Sequence, residues 1–140
     1  MTHLQNLTLS VFLITSSIIA NDIKVEITEL LNKNGKLSIA LYNKDDATFA
    51  NMTKYYKGVN LTINDKTIKY TFKNIPNGTY AIALIHDENE NMKLDKNFLG
   101  IPKEGYGFSN NIRPNFRSAN FKESKFELHS NKIINIKMGY

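Results

Sequence analysis

Hydrophobic and polar residues alternate with a period of two along most of the chain, which is the spacing of strands with one buried face. Ile23, Val25 and Ile27 begin the pattern, each followed by a polar neighbour. The same alternation recurs over residues 37–41, 59–63, 68–72, 126–128 and 134–138. Residues 79–85 are apolar almost throughout, which predicts a central strand covered on both faces.

Turn signals separate these segments. Asn34-Gly35 predicts a two-residue hairpin leading into the second strand, and Asn64-Asp65 predicts another turn. Pro76 and Gly78 form a turn in which Pro presets φ and Gly tolerates the left-handed region. Residues 43–58 are polar apart from a few aromatic and Met positions, and allow one short helical turn. The sequence therefore predicts one antiparallel β-sandwich of about seven strands, Ig-like or transthyretin-like, with a long loop after the central strand.

The amino terminus carries a different pattern. Residues 7–20 form a 14-residue stretch without charge, shorter than the ~20 residues that span a bilayer. Its length fits the apolar core of a secretory signal peptide ending at the small residue Ala20, although the usual basic leader is missing. We predict a signal peptide at 1–20, a domain at 21–140 without a transmembrane span, and a periplasmic or secreted location. A buried amino-terminal strand is the alternative.

Composition limits the chemistry. The chain has 140 residues, 41% of them apolar and 22% charged, which suits one globular domain. It has no Cys, which excludes disulfides, Cys-ligated zinc and a thiol nucleophile. The net charge is +5, and residues 101–140 hold seven basic and three acidic side chains. An anionic partner could use that asymmetry, or it could serve only solubility; nucleic acid is not expected.

An acidic loop follows the central strand. Oxygen-bearing side chains recur at alternate positions, as in loops that bind calcium, a cation that takes 6–8 oxygen ligands. The candidate ligands are Asp87, Asn89, Asn91, the Lys93 carbonyl and Asp95. Met92 replaces the Gly such loops use for their sharp turn, and Phe98 stands where a bidentate Glu is usual. The alternative is a turn whose Asn and Asp side chains bond their own backbone.

His86 stands at the start of this loop, beside Asp87. A His–Asp pair can orient an imidazole for general-base chemistry, and Glu104 could join it. The sequence therefore leaves open a hydrolase that uses His86, Asp87 and Glu104. No convincing nucleophile lies nearby, since Ser109 is not in a strand–turn–helix setting. A histidine with a purely local hydrogen bond is the commoner case.

An aromatic loop extends over residues 98–121, with little strand or helix periodicity. Its five aromatic residues are Phe98, Tyr106, Phe108, Phe116 and Phe121. Loops of this length in a compact domain are usually functional or disordered, and so many aromatic rings argue against disorder. Either the loop folds back as a lid that completes the core, or it presents a binding surface. The candidate binding residues are His86, Glu104, Tyr106, Phe108, Arg113 and Arg117.

The runs FKNIPNGTYA (72–81), HDEN (86–89) and NFLGIPKEGYGFSNN (97–111) resemble a family of exported bacterial proteins, domain of unknown function 2141. The segment GKLSIALY (35–42) is similar as well, and the resemblance covers most of residues 23–138. Family members usually read Gly-Asn-Gly where this chain has Glu90, Asn91 and Met92. The resemblance implies no established activity. The turn at 72–80 is also similar to that of transthyretin-like and carboxypeptidase-regulatory-like sandwiches, which are mostly accessory binding or structural modules.

These observations predict an exported, non-enzymatic β-sandwich that binds a ligand or partner through residues 86–121. Calcium is the expected cofactor, organising the acidic loop. An envelope protein or a glycan is the expected partner. The alternatives are the hydrolase, and a purely structural envelope module that pairs through exposed strand edges.

Overall fold

The computed structural model of the protein describes residues 19–140. The predicted signal peptide lies outside the described residues except for its last two positions, and the described chain enters its first strand at Ala20. The structure contains a 3₁₀ turn at Ser109–Asn111 and one helix, α1, at Phe121–Ser124. The strands are β1 Ala20–Thr28, β2 Lys36–Tyr42, β3 Lys57–Thr62, β4 Ile68–Pro76, β5 Gly78–Asp87, β6 Gly105–Phe108, β7 Phe126–Leu128 and β8 Lys132–Lys137.

The strands form two sheets. The first has the order β4-β1-β8, with β1 antiparallel to β4 and parallel to β8. The second has the order β3-β2-β5, and β6 and β7 pair one after the other with the remaining edge of β5. The predicted all-β sandwich is confirmed. It has eight strands among the described residues rather than about seven, and one strand pair is parallel.

The main core lies between the sheets. Ile23, Val25 and Ile27 of β1 are fully buried, as their alternation predicts, and they belong to one apolar cluster with Ile39 and Leu41 of the facing sheet. Polar residues between them stay partly exposed. The alternation thus gives β1 one apolar face. Removing this face from water by packing it against the second sheet stabilises the two-layer arrangement.

A second apolar cluster covers the outer face of the second sheet. Ala81, Ala83 and Ile85 of β5 belong to it and pack with side chains from residues 49–52 and 106–121. From Tyr80 to Asp87, every residue of β5 is buried. The prediction of a central strand covered on both faces is therefore confirmed.

One local prediction was wrong. Asn34-Gly35 does not join a hairpin, because β1 and β2 belong to different sheets and never pair. Gly35 still has φ +61°, and a Cβ there would overlap the Asp87 carbonyl oxygen, so close packing explains this glycine. Residues 43–56 contain turns and bends but no helix.

Strand β6 lies within the region predicted to be a loop. Gly105 and Gly107 occupy positions where strands usually carry β-branched residues, so the sequence gives little strand signal. The structure explains both. A Cβ on Gly105 would overlap the Tyr140 ring, and one on Gly107 would lie 2.8 Å from the Ile136 side chain. The glycines let β6 approach the carboxy-terminal segment closely.

The carboxy terminus joins the two sheets at one side. Met138 donates a backbone hydrogen bond to Thr28 at the end of β1, and Gly139 exchanges two backbone hydrogen bonds with Tyr106 of β6. The chain therefore leaves the first sheet and closes against the second. Within residues 19–140, no helix has the length and apolar character needed to cross a membrane.

A candidate binding surface on the 96–118 loops

His86 is fully buried at the end of β5. Its Nε2 lies 2.8 Å from the Asn34 carbonyl oxygen, which can only accept, so Nε2 carries a proton and donates it. Nδ1 then accepts from the Tyr140 hydroxyl at 2.6 Å. The Tyr140 oxygen in turn accepts from the Leu31 backbone N–H at 3.2 Å. Both ring nitrogens of the His86 imidazole therefore have hydrogen-bond partners within the protein.

Asp87 shapes the acidic loop from within. The carboxylate is buried and accepts backbone N–H bonds from Asn91 at 3.1 Å and Met92 at 2.7 Å. The loop therefore curls around this side chain. Bonds of this kind between an Asp side chain and the following backbone form without a metal.

The other candidate ligands meet at Asp95. Its carboxylate accepts from the side-chain amides of Asn89, at 2.5 Å, and Asn91, at 3.1 Å. The oxygen of Asn91 accepts from the Lys93 backbone N–H. The structure thus brings the predicted side chains together as a self-bonded turn. Among the described residues, no group of three or more His, Cys, Asp or Glu side chains is placed to hold a metal ion.

Glu104 ties the two ends of the loop together. One carboxylate oxygen accepts from the Glu88 backbone N–H and the other from the Asp95 backbone N–H, both at 3.0 Å. The side chain is buried, with 5% of the residue's surface exposed. Glu104 and His86, both predicted to bind a partner, therefore lie beneath the surface and support it from the interior.

The loop bends through two left-handed residues. Glu90 has φ 58° and Met92 has φ 60°, the region that favours glycine. These are the two positions at which members of the family that the sequence resembles carry Gly. The chain therefore follows a path suited to glycine without the residues that adopt it most easily, at a cost of roughly 1–2 kcal/mol per residue.

The five loop aromatics separate into two groups. Phe108 and Phe121 are buried against β5, and Tyr106 is half-buried beside them. Phe98 is 95% exposed and Phe116 is fully exposed. The lid and the binding-surface interpretations therefore each describe part of the loop. The buried rings complete the second core, and the exposed ones project into solvent.

Phe98 stands at the tip of a small hairpin formed by residues 96–103. Lys96 pairs with Pro102 across its base, and Asn97 donates a backbone bond to Ile101 at 2.8 Å. The Asn97 side chain accepts the backbone N–H groups of Leu99 and Ile101 at 2.9 and 3.0 Å. Asn97 thus holds the tip in a fixed shape although its apolar side chains are unsupported.

A groove of about 580 Å³ separates this hairpin from residues 113–118. Leu99 and Ile101 line one side, and Phe116 lines the other. Leu99 and Ile101 are themselves 68% and 55% exposed. The lining includes Lys96, Arg113 and Arg117, and no Asp or Glu. We call this hairpin and the segment facing it the 96–118 surface.

The two arginines are held in place by the fold. Arg113 donates to the Lys137 carbonyl oxygen at 2.6 Å and lies 5.8 Å from the centre of the Tyr106 ring. Arg117 bonds both carboxylate oxygens of Glu123, and this contact lowers the Glu123 pKa to about 2. Glu123 also completes the capping box of α1. The predicted residues Tyr106, Arg113 and Arg117 therefore do lie together at one surface, whereas Phe108 lies below it.

The exposed apolar side chains of the 96–118 surface were not among the binding residues predicted from the sequence. Phe98 and Phe116 were recognised as aromatic residues of the loop, but nothing in their spacing indicated exposure, and Leu99 and Ile101 gave no signal at all. A second groove of about 440 Å³, between residues 42–48 and 54–56, was also missed. Tyr55 and Tyr56 line it and are partly exposed.

The catalytic alternative required His86, Asp87 and Glu104 to face a shared cavity. Each is buried, with its polar side-chain atoms bonded to groups of the protein. Neither of the two grooves is lined by any of the three. No imidazole nitrogen of His86 is therefore presented to a substrate in this conformation.

The fold and the surface define the chain as a two-sheet β-sandwich with an elaborated loop region on one face. Residues 25–136 match the family described as an uncharacterized protein conserved in bacteria, DUF2141. The chain belongs to this family. No curated protein and no solved structure gives a match.

Proposed function

We propose that the protein is an exported, non-enzymatic binding module that contacts its partner through the 96–118 surface. The observation that carries this proposal is the exposure of Leu99, Ile101 and Phe116 in the lining of a groove that also holds basic side chains, with Phe98 exposed beside Leu99. Several large apolar side chains exposed around one groove are typical of an interaction site. Export is proposed on the apolar stretch at 7–20.

The basic lining favours an anionic partner. Lys96 and Arg113 raise the local concentration of anions, whereas Arg117 is already paired with Glu123; no acidic side chain is in the lining itself. An envelope protein or a glycan carrying acidic groups would meet this requirement. The apolar residues would then supply most of the binding energy, while the charges select the sign of the partner.

The proposal is tested with anilinonaphthalene sulfonate, an aromatic anion whose fluorescence rises in apolar surroundings. We expect saturable binding that Phe116→Ser weakens about tenfold, the effect of losing one buried aromatic side chain. Arg113→Gln should weaken it as well. The matched control is Ile133→Ser, because Ile133 is 58% exposed on β8, away from the groove.

Equal dye affinity in the wild type and in all three variants would contradict the proposal. Loss of affinity in Ile133→Ser alone would assign dye binding to the other face of the molecule. Absence of any saturable site would favour the alternative of a purely structural envelope module.

We also propose that Ca²⁺ binds the acidic loop by replacing the amide donors at Asp95. Asp87 and Asp95 supply two charges, Asn89 and Asn91 turn their oxygens inward, and the Lys93 carbonyl completes the set. A saturable rise in melting temperature with Ca²⁺, reversed by a chelator, would support this. Asp95→Asn should abolish the rise. An unchanged melting temperature at millimolar Ca²⁺ would contradict it.

A further inference from the structure

We propose that the partner of the 96–118 surface is an anionic lipid bilayer, into which Phe98, Leu99 and Phe116 insert. The proposal rests on the binding function above and names the chemistry of the partner. It follows from the shape of the apolar group, from the positions of the charges, and from the rigidity of the hairpin.

Phe98 does not line the groove, and Leu99 and Phe116, which do line it, remain largely exposed to solvent. Phe98 is at the hairpin tip with 95% of its surface exposed, and Phe116 is fully exposed on the facing segment. A glycan or a small molecule is usually held in a concave site by several directed hydrogen bonds. A convex tip that ends in a bare ring has no such site, but lipid requires no shape complementarity from it.

Basic residues lie where headgroups would meet the inserted tip. Lys96 and Lys103 mark the two ends of the hairpin, one on each strand below the apolar tip, and both are exposed. Their long side chains can reach sideways to phosphates while the tip enters the acyl region. Arg113 adds a third cation across the groove.

Of the acidic groups near the surface, Glu104 is buried and bonded to the backbone, and Asp95 is partly exposed. Two neutral side-chain amides donate to the Asp95 carboxylate and leave its charge in place. Glu123 is paired with Arg117. The exposed Lys96, Lys103 and Arg113 outnumber Asp95 on this face, so it keeps a net positive charge that complements an anionic leaflet and distinguishes it from a general apolar patch.

The hairpin is organised before it binds. Asn97 accepts two backbone N–H groups with its side chain, and Gly100 adopts φ +78° to close the turn. The tip's backbone polar groups are thus partly satisfied without water. Insertion then costs less than it would for a flexible loop, since less backbone must be desolvated or ordered.

The test uses single cysteines, because the chain has none of its own. A polarity-sensitive fluorophore is attached to Phe98→Cys, to Phe116→Cys and to the control Ile133→Cys in the full chain. Vesicles contain phosphatidylcholine alone or with phosphatidylglycerol. We expect a blue shift at 98 and 116 only with the anionic vesicles, quenching there by spin-labelled acyl chains, and no change at 133.

A second measurement tests the charges. Lys96→Gln and Lys103→Gln should each weaken binding to anionic vesicles about fivefold, because one basic residue near a surface contributes roughly 1 kcal/mol. Lys69→Gln, exposed on β4 of the other sheet, should not. All variants contain residues 7–20, so adsorption through that segment would affect them equally. A fluorophore at position 98 or 116 reports only whether the hairpin tip or the facing segment itself enters the bilayer.

No spectral change at positions 98 and 116 would overturn the lipid assignment, and so would an equal change at position 133. If the lipid assignment fails but anilinonaphthalene sulfonate still binds the groove, the binding function stands and the partner is a soluble anion or an acidic protein surface. If neither dye nor vesicles bind, both proposals fail.

Discussion

The hydroxyl of Tyr140, the last residue of the chain, lies 2.6 Å from Nδ1 of His86. His86 is fully buried, so this contact anchors the carboxy terminus to the end of the central strand. Burial raises the pKa of the Tyr140 hydroxyl above its ordinary value, which keeps it protonated and able to donate. The sequence suggested His86 as a possible general base, and in the structure its imidazole instead holds Tyr140 in place.

Tyr140→Phe removes that donor and leaves Nδ1 of His86 buried without a partner. We expect the free energy of unfolding to fall by about 1–3 kcal/mol, the usual cost of an unsatisfied buried polar atom. Urea denaturation measures it. Tyr55→Phe is the control, because its hydroxyl bonds none of the described residues and should change stability by less than about 0.5 kcal/mol. Equal stability of the two variants would contradict the assigned bond.

Ser109 and Ser124 make a second matched pair. Strands β7 and β6 cover β5 up to Tyr80 and from Ala83 onward, and the Ser109 hydroxyl fills the gap by accepting the Ile82 backbone N–H at 2.9 Å. The same hydroxyl donates to the Ser124 carbonyl oxygen. Ser109→Ala should therefore cost about 1–3 kcal/mol.

Ser124 is also fully buried, but its own hydroxyl has no partner among the described residues. Ser124→Ala should be neutral or stabilising, because the unpaired oxygen is removed. Thermal and urea denaturation compare the two variants with the wild type. If Ser124→Ala were the more damaging of the two, the hydrogen bonding described at this gap would be wrong.

Glycine at positions 90 and 92 should stabilise the protein. Both residues are left-handed, so Glu90→Gly and Met92→Gly relieve steric strain that exceeds the added entropy of the unfolded chain. We expect about 0.5–1 kcal/mol from each. Asn74→Gly is the control, since Asn74 has φ 56° and asparagine tolerates this region better. Destabilisation by both loop glycines would show that the loop follows another path in solution.

Stability should decline at alkaline pH because of Tyr42. Burial, and secondarily Tyr55, raises the pKa of Tyr42 in the folded state well above its ordinary value. In the unfolded chain the Tyr42 hydroxyl loses its proton near pH ~10. The protonated hydroxyl therefore contributes its full share to the free energy of unfolding below that pH, and this share is lost as the pH rises further. Above that pH, the free energy of unfolding should fall by up to about 1.4 kcal/mol per pH unit.

The measurement is urea denaturation from mildly to strongly alkaline pH, on both sides of the ordinary tyrosine pKa. Tyr42→Phe should be less stable near neutrality, because the hydroxyl donates to the Asn51 carbonyl oxygen at 2.9 Å. Its stability should nevertheless fall less steeply with pH than that of the wild type. Identical slopes would indicate that other groups govern the alkaline transition.

The sequence predicted most strands but not their partners. Alternation at Ile23, Val25 and Ile27 identifies a face to be buried, and it says nothing about which strand lies alongside. The turn signal at Asn34-Gly35 suggested a local hairpin, whereas long-range packing placed β1 and β2 in opposite sheets. Strand β6 was missed because Gly105 and Gly107, which allow residues 136–140 to approach closely, replace the β-branched residues that usually indicate a strand.

For the site, the sequence identified the region but not the roles within it. The spacing of Asp87 and Asp95 suggested either a calcium loop or a turn bonded to its own backbone, because short polar side chains can do both. It could not separate Phe108, which is buried, from Phe116, which is exposed, since both are aromatic residues in a segment without periodicity. Exposure there depends on which ring meets β5, a tertiary contact.

The parallel pairing of β1 with β8 determines when the first sheet can form. β1 is its middle strand, and one of its two neighbours, β8, is far from it in the sequence. During synthesis this sheet stays incomplete until residues 132–137 have emerged, and closing so long a loop is slow. Pairing of β2 with β3 and β5 in the second sheet needs no such distant strand, so we expect the first sheet to form later than the second.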